Sequence, residues 1–272
     1  MITSPGIYTD ITNEEYHASH GISSSGISLI IPPNCPALYH YHYILNRERK
    51  PSAAHGIGSV LHCMVLEPHD FDKRYAVLNE SPPARRGEKG KQAYDEFMKQ
   101  FDGKQVISKS DYDVCADMAT SVMKHGFFNE LFSNGQVENS LAWVDEESGA
   151  LLRSRPDFYS SECIIDLKTT RDLSDRSFRR SIVEYGYHRQ AAMACDGLEA
   201  LTGKKYRNYI LFVVCKEPPY LVKAFLLSDD SIQAGRDQYK WGASIYANCL
   251  EDNHWPGYKE VIEEIGIMDY LV

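Results

Sequence analysis

The sequence predicts an α/β (α+β) fold in which helices flank a central mixed sheet. Helical spacing of apolar residues dominates the first half of the chain, and short alternating runs separated by helical segments dominate the second. The 272 residues are 43% hydrophobic, which is enough to bury one sizeable core. We therefore expect one domain over 1–272, with a mainly helical part over 1–135, a core over 136–250 and a tail over 251–272.

The N-terminal part is predicted to begin with an extended arm over 1–20 and to continue as helices. Serines at the start of 21–31 suit a helix N-terminus, and Pro32-Pro33 ends that helix. Residues 78–91 are rich in proline, glycine and charge, which favours a loop. The predicted helices of this part span 21–31, 35–46, 55–68, 90–101 and 109–125.

Strands are predicted where the apolar pattern changes to alternation, after residue 136. Turn residues such as Ser148-Gly149 separate the first three runs. The predicted strands span 137–144, 150–159, 162–169, 208–215 and 221–227, and two helices span 175–202 and 229–250. Strands and helices in this order favour a mixed sheet that the helices cover.

The chemically most informative residues are Asp157 and the Asp166-Leu167-Lys168 run. Strand side chains alternate, so Asp166 and Lys168 are expected on one face, with Ile165 and Leu167 on the other. A hairpin could bring Asp157 beside Asp166, and two adjacent carboxylates repel each other unless a cation lies between them. Oxygen ligands in that number suit Mg²⁺ or Mn²⁺. A nearby lysine can orient a water or stabilise negative charge in a phosphoryl transition state.

Each of these residues also has an ordinary interpretation. An Asp-x-Lys pair on a solvated strand is only a weak surface ion pair. Glu138, at the start of the strand 137–144, is either a further carboxylate for a metal or an exposed edge residue. His62 lies in an apolar helix and is either a metal ligand or a core histidine. Gln190 is either a site residue or a helix residue that faces solvent.

Composition narrows the class of protein. No apolar run approaches the ~20 residues of a membrane span, and 1–20 lacks a signal-peptide pattern. The seven cysteines are scattered without a C-x-x-C, which predicts reduced thiols in the cytoplasm and neither zinc nor an iron–sulfur cluster. LTGKK over 201–205 lacks the spacing and the Ser or Thr of a phosphate loop, so no ATP dependence is expected.

The net charge of -9 does not by itself indicate nucleic-acid binding, although a local basic groove can coexist with an acidic exterior. Two short stretches are basic. Their candidate DNA-binding residues are Arg85, Arg86, Lys89, Lys91, Arg179 and Arg180. The alternative for each is an ordinary solvated surface.

Five segments between Gly6 and Pro256 carry a family resemblance. They are GIYTDITNEEYH (6–17), GSVLHCMVLEP (58–68), the R-x-RPD run ending at Asp157, IIDLKTT (164–170) and YGYHRQ (185–190). On these segments the chain resembles the C-terminal nuclease domain family of RecE (exodeoxyribonuclease VIII), which belongs to the PD-(D/E)xK nuclease superfamily. The first and last segments make the resemblance specific.

The resemblance implies a restriction-endonuclease-like fold whose catalytic core is 136–250. It implies a processive 5′→3′ exonuclease that acts on linear double-stranded DNA and leaves 3′ single strands for an annealing protein of the RecT type in phage recombination. Lys168 would position or activate the attacking water, and Gln190 would orient the site. The groups that would hold Mg²⁺, for which Mn²⁺ can substitute, are His62, Glu138, Asp157, Asp166 and the Leu167 carbonyl.

The resemblance also suggests a closed homo-oligomer, with a tetrameric ring as the expectation. An acidic monomer should bind DNA weakly at physiological salt, and a ring lined by the basic candidates would retain the duplex topologically. Ala194 stands where related nucleases often carry a tyrosine, a role that Tyr185 or Tyr187 could take over. The alternatives are an endonuclease or single-strand nuclease of the same superfamily, and a non-catalytic DNA-binding or assembly module.

Overall fold

The computed structural model describes residues 1–45, 53–101 and 103–264. Its first half is mainly helical. In chain order its elements are β1 (Gly6–Tyr8), α1 (Asn13–Ala18), α2 (Ser24–Ile30), α3 (Pro36–Tyr39), a π-helical turn (His40–Ile44), α4 (Ala53–Leu66), a 3-10 turn (Pro68–Asp70), α5 (Phe71–Arg74), β2 (Tyr75–Leu78), α6 (Gly87–Lys99), β3 (Gln105–Ser108), α7 (Lys109–Met123) and α8 (Phe128–Leu131).

The second half alternates between strands and helices. Its elements are β4 (Gln136–Val137), β5 (Ser140–Val144), β6 (Leu151–Ser154), β7 (Phe158–Tyr159), β8 (Ile164–Thr170), α9 (Asp175–Glu184), α10 (Tyr187–Thr202), β9 (Tyr209–Cys215), β10 (Val222–Leu226) and α11 (Asp229–Glu251). The predicted tail, 251–272, begins where α11 ends, and its last residues, 265–272, lie outside the described residues, as does residue 46 of the predicted helix 35–46.

The predicted central mixed sheet is confirmed. It has five strands in the order β10-β9-β8-β7-β4, and only the central pair, β8 and β9, runs parallel. An antiparallel sheet, β1-β5-β6, and a parallel pair, β2-β3, accompany it. Because parallel strands need a crossover connection, α9 and α10 lie between β8 and β9 in the chain.

The central sheet has a hydrophobic cluster on each face. Alternate residues of β8, such as Ile165 and Leu167, pack in a cluster with residues of α4 and α7. Ile164 of β8 and Leu211 of β9 pack on the opposite face with residues of α2, α10 and α11. Burial on both faces explains why β9 is almost continuously apolar, whereas β8 is apolar only in its first half, apart from Asp166. The described part of the chain contains no helix with the length and apolarity of a bilayer span.

Two predicted strands are wrong as single elements. The predicted strand 137–144 divides into β4 and β5, which belong to different sheets, because Glu138 between them has a left-handed φ of 53°. The predicted strand 150–159 divides into β6 and β7 in the same way. Pro156 lies in that gap and has no N–H to donate to a ladder.

The predicted helix 175–202 is also wrong as one helix, since it breaks into α9 and α10 at Gly186. Gly186 has a φ of 67°, and a Cβ there would lie 2.2 Å from Nη2 of Arg189. Only glycine meets both the backbone and the packing requirement at this position.

Several short elements were not predicted from the sequence: β1, α1, β2 and β3. A strand of three or four residues has almost no periodicity, and β1 pairs with β5, far along the chain. A signal for α1 was present, because Thr12 and Glu15 form a capping box at its start. The predicted loop 78–91 is shorter than expected, since β2 ends at residue 78 and α6 begins at Gly87.

A glycine in α11 provides a test of the packing that supports α10. A Cβ on Gly235 would lie 2.1 Å from the carbonyl oxygen of His188 in α10. We expect Gly235→Ala to lower the free energy of unfolding by about 1–3 kcal/mol, as overpacking does. Gly58→Ala in α4 is the matched control, because nothing lies within 4 Å of its new Cβ. It should be neutral or stabilise by up to ~1 kcal/mol. Urea unfolding of both variants measures the difference, and equal stabilities would contradict this packing.

Candidate active site

The hairpin of β7 and β8 places Asp157 beside the middle of β8. Phe158 pairs with Ile165, so the residue before β7 lies opposite the Asp166-Leu167 segment. The Leu167 N–H donates to Oδ2 of Asp157 at 2.7 Å. The predicted hairpin is therefore confirmed, and it holds the Asp157 carboxylate by a backbone hydrogen bond.

The backbone of Leu167 also orients His62, which projects from α4. Nε2 of His62 lies 2.7 Å from the carbonyl oxygen of Leu167. A carbonyl only accepts, so Nε2 carries the proton and Nδ1 is left facing the carboxylates. Nδ1 lies 3.5 Å from Oδ2 of Asp157 and 3.9 Å from Oε1 of Glu138. His62 thus faces the carboxylates of the candidate site instead of packing as a core histidine among apolar side chains.

Glu138 enters this cluster from the break between β4 and β5. Its N–H donates to the Asp157 carbonyl at 3.0 Å, which ties the two acidic residues together through the backbone. Arg155 Nε donates to the Glu138 carbonyl at 2.8 Å and lies 3.8 Å from Oε2 of the same residue. A left-handed glutamate is unusual, and such conformations concentrate at functional sites.

Asp166, Lys168 and Gln190 form a second group next to the first. Nζ of Lys168 forms an ion pair with Oδ2 of Asp166, and Nε2 of Gln190 donates to Oδ1 at 3.0 Å. The Asp166 side chain is fully buried and that of Lys168 is 16% exposed, so the pair is not a solvated surface pair. Tyr187 places its ring 5.0 Å from the Lys168 ammonium.

The electrostatics show that negative charge is crowded here. Burial raises the pKa of Asp166 to about 6 against the opposing effect of Lys168, and burial raises the pKa of Asp157 as well. Burial alone would lower the pKa of His62, but Asp157 and Glu138 together outweigh burial and raise the pKa to about 9. Burial would also lower the pKa of Lys168, but Asp166 and Asp157 together raise it above its ordinary value. The site therefore favours positive charge.

Three of the predicted ligands fit a divalent cation. One potential ligand atom each from His62, Glu138 and Asp157 lies within 4.8 Å of the other two. A nitrogen and two carboxylates suit Mn²⁺ or Mg²⁺, and the Nε2–H bond to a carbonyl is the usual support of a metal-binding histidine. Asp166 is engaged by Lys168 and Gln190, and the Leu167 carbonyl by His62, so ligation by these two stays a prediction.

Residues 23–266 match the family model described as "PDDEXK-like domain of unknown function (DUF3799)". The chain belongs to this family. The predicted membership of the PD-(D/E)xK superfamily is thereby supported, and the RecE family in particular is not tested. In this chain the motif residues are Pro156-Asp157 and Asp166-Leu167-Lys168, which the β7–β8 hairpin brings together.

Comparison with solved structures supports the fold. The crystal structure of a "Putative exonuclease" from Eubacterium rectale superposes with a TM-score of 0.64 at 16% identity, covering 96% of this chain and 98% of that one. A structure of the protein SSO0001 is much less similar, with a TM-score of 0.29 at 12% identity, covering 68% of this chain and 86% of that one. The restriction-endonuclease-like fold expected of the DUF3799 chain is thus confirmed. No curated protein matches the sequence significantly.

The predicted DNA-binding residues lie outside this cluster. Arg85 packs over the Tyr94 ring, and Lys91 lies 3.9 Å from Glu88, so both have local surface partners. Arg179 and Arg180 are on α9, the helix that leads to the site, and Arg180 lies 3.9 Å from Glu184. DNA binding by these four residues, and by Arg86 and Lys89, stays a prediction.

For two residues near the site, Arg155 and Tyr187, the sequence predicted no definite role. The sequence assigned no role to Arg155 beyond its place in the R-x-RPD run. Its contacts to Glu138 depend on the gap between β4 and β5 in which Glu138 lies. Tyr187, named as a possible replacement for a missing tyrosine, lies over Lys168. Ala194 is fully buried in the main hydrophobic cluster, where it packs as a small core residue.

His62→Ala tests the nitrogen ligand. We expect weaker Mn²⁺ binding, by about 10-fold or more, with little change in melting temperature, because the side chain is partly exposed and its contacts are polar. Wild-type protein at pH 7–8 should also release a proton from His62 on binding Mn²⁺, whereas the variant should not. Calorimetry in buffers of different ionisation enthalpy measures both. Unchanged Mn²⁺ affinity together with a large loss of stability would show a purely structural histidine.

Proposed function

We propose that this DUF3799 protein is a metal-dependent nuclease that hydrolyses phosphodiester bonds in DNA. One observation carries the proposal: a histidine–carboxylate cluster suited to a cation adjoins a buried lysine that is held by its own aspartate. Such a pairing matches the needs of phosphodiester hydrolysis, in which negative charge builds up on the phosphate. Membership of a PDDEXK-like family supports the same reaction class.

Each residue has a distinct task in this proposal. A divalent cation held by His62, Glu138 and Asp157 would neutralise charge on the scissile phosphate and lower the pKa of the attacking water. Lys168 would orient that water or stabilise the charge that develops during in-line attack. Asp166 fixes the lysine, and Gln190 fixes Asp166 from the opposite side.

The finer proposal is a Mg²⁺-dependent, ATP-independent 5′→3′ exonuclease of the RecE type, acting on linear double-stranded DNA. Its 3′ single-stranded products would suit a cytoplasmic annealing partner of the RecT type in phage recombination. The substrate, the polarity and the partner in this proposal are supported by the sequence resemblance, whose motifs include Asp157, Asp166, Lys168 and Gln190.

Digestion of linear duplexes labelled at the 5′ or the 3′ end, beside a closed circular duplex, tests this function. With Mg²⁺ and no ATP we expect early release of the 5′ label and an intact circle. Asp166→Ala is the inactive control, because it frees Lys168 and Gln190 from their shared anchor. Cutting of the circle would indicate an endonuclease, and digestion of single strands alone a single-strand nuclease. No release at all, or full activity of folded Asp166→Ala, would refute the nuclease.

Lys168→Ala separates chemistry from binding. We expect the cleavage rate to fall by ~10²-fold or more with DNA and Mn²⁺ affinity largely kept, as loss of a positioned electrostatic group does. Lys168→Arg should rescue little, because a planar guanidinium does not replace a compact ammonium. Lys223→Ala is the matched control, since this lysine also pairs with an aspartate, Asp175, but on the surface. Single-turnover rates give the comparison, and a change in DNA affinity alone would contradict the assigned role.

We also propose a closed homo-oligomer, a tetramer by resemblance, that retains DNA during digestion. A chain with a net charge of -9 gains little from counterion release, so topological enclosure would compensate for weak attraction. Light scattering should show an oligomer at working concentration, and digestion should be processive and need a free end. A monomer that digests with the same processivity would exclude the ring.

A further inference from the structure

The end of α9 exposes a tyrosine beside the candidate site. Tyr185 is 62% exposed and follows Val183, which is 69% exposed, so the last turn of the helix presents apolar surface to solvent. An exposed aromatic ring next to a polar site offers a flat apolar face to a ligand. The proposed mechanism uses neither residue.

A continuous series of contacts leads from this exposed ring to the lysine. The rings of Tyr185 and Tyr187 have centroids 5.7 Å apart at an interplanar angle of 33°, and the Tyr187 ring lies 5.0 Å from Nζ of Lys168. Lys168 in turn pairs with Asp166. One ring therefore separates Tyr185 from the lysine assigned to the scissile phosphate.

The backbone holds Tyr185 in this position. The Tyr185 N–H donates to the backbone carbonyl of Ser181 at 2.9 Å and caps α9. Gly186 then turns the chain so that Tyr187 begins α10. The buried guanidinium of Arg189 packs against Gly186 and fixes the turn. Arg189 is itself held by hydrogen bonds to two serines of α2 and to Gln238. Tyr185 is therefore an outward-facing ring on a rigid support.

We infer that Tyr185 is a stacking platform for an unpaired or terminal DNA base beside the scissile phosphate. This inference rests on the proposed nuclease function and deepens it. An aromatic face binds any base by stacking, but an internal base of a duplex has both faces covered by its neighbours. Tyr185 therefore favours DNA ends and single strands over continuous duplex, and it supplies specificity for an end through binding.

The experiment is equilibrium binding of short linear duplexes with Ca²⁺ in place of Mg²⁺, so that affinity is measured without cleavage. Tyr185→Ala and Tyr185→Leu should both weaken end binding by about tenfold, while Tyr185→Phe and Tyr185→Trp should bind like wild type, because stacking needs the ring and not the hydroxyl. Leucine keeps apolar volume without a π face. Tyr258→Ala is the matched control, since Tyr258 is 67% exposed on the C-terminal segment and should leave binding unchanged.

A base-deleted substrate makes the test specific for stacking. With an abasic terminal nucleotide, wild-type affinity should fall to the level of Tyr185→Ala, and the variant should lose nothing further. A terminal 2-aminopurine should be quenched by wild type and much less by Tyr185→Ala. Equal binding by wild type and Tyr185→Ala, equal abasic losses in both, or no end binding by wild type would each overturn the inference. Ring-dependent end binding without cleavage in Mg²⁺ would support it while refuting the nuclease function.

Discussion

The hydrogen bond from the Leu167 N–H to the Asp157 carboxylate is the interaction around which the candidate site is arranged. It joins the short strand β7 to the central strand β8, and the carbonyl of the same leucine orients His62. The side chains of Asp157 and His62, which are far apart in sequence, thus both hydrogen-bond to the Leu167 backbone in the middle of the sheet. The leucine side chain is fully buried, so this segment is anchored by the core itself. Site geometry and hydrophobic packing are therefore inseparable here.

This arrangement has an electrostatic cost. Burial raises the pKa values of Asp157 and Asp166, and the buried ammonium of Lys168 does not fully offset that rise for either carboxyl group. Asp157 obtains its compensation from a backbone N–H and from His62, whose charge it favours. Folding thus produces a pocket of unbalanced negative potential that a cation would relieve. Such local destabilisation is a usual property of functional sites.

The parts of the site that could be predicted depend on short-range rules. Strand alternation placed Asp166 and Lys168 on one face, and their spacing from Asp157 indicated the hairpin. The position of His62 relies on a contact across 105 residues, which no local pattern encodes. The arginine of the RPD run reaches a carbonyl 144 residues away, and its importance was missed for the same reason. The broken strands were missed because a left-handed glutamate leaves no mark in apolar periodicity.

Arg155 gives the N-terminal arm a share in the site. Its guanidinium donates to the carbonyls of Ile11 and Glu138 and lies 5.2 Å from the Tyr16 ring. The first strand also pairs with β5, which begins just after the glutamate. The N-terminal arm thus supports Glu138, the candidate ligand with a left-handed backbone. Removing or displacing the arm, by proteolysis or by a bulky fusion, would take away the Ile11 acceptor of Arg155 and the small cluster of Ile2 and Tyr16, while the two clusters on the central sheet would keep their residues.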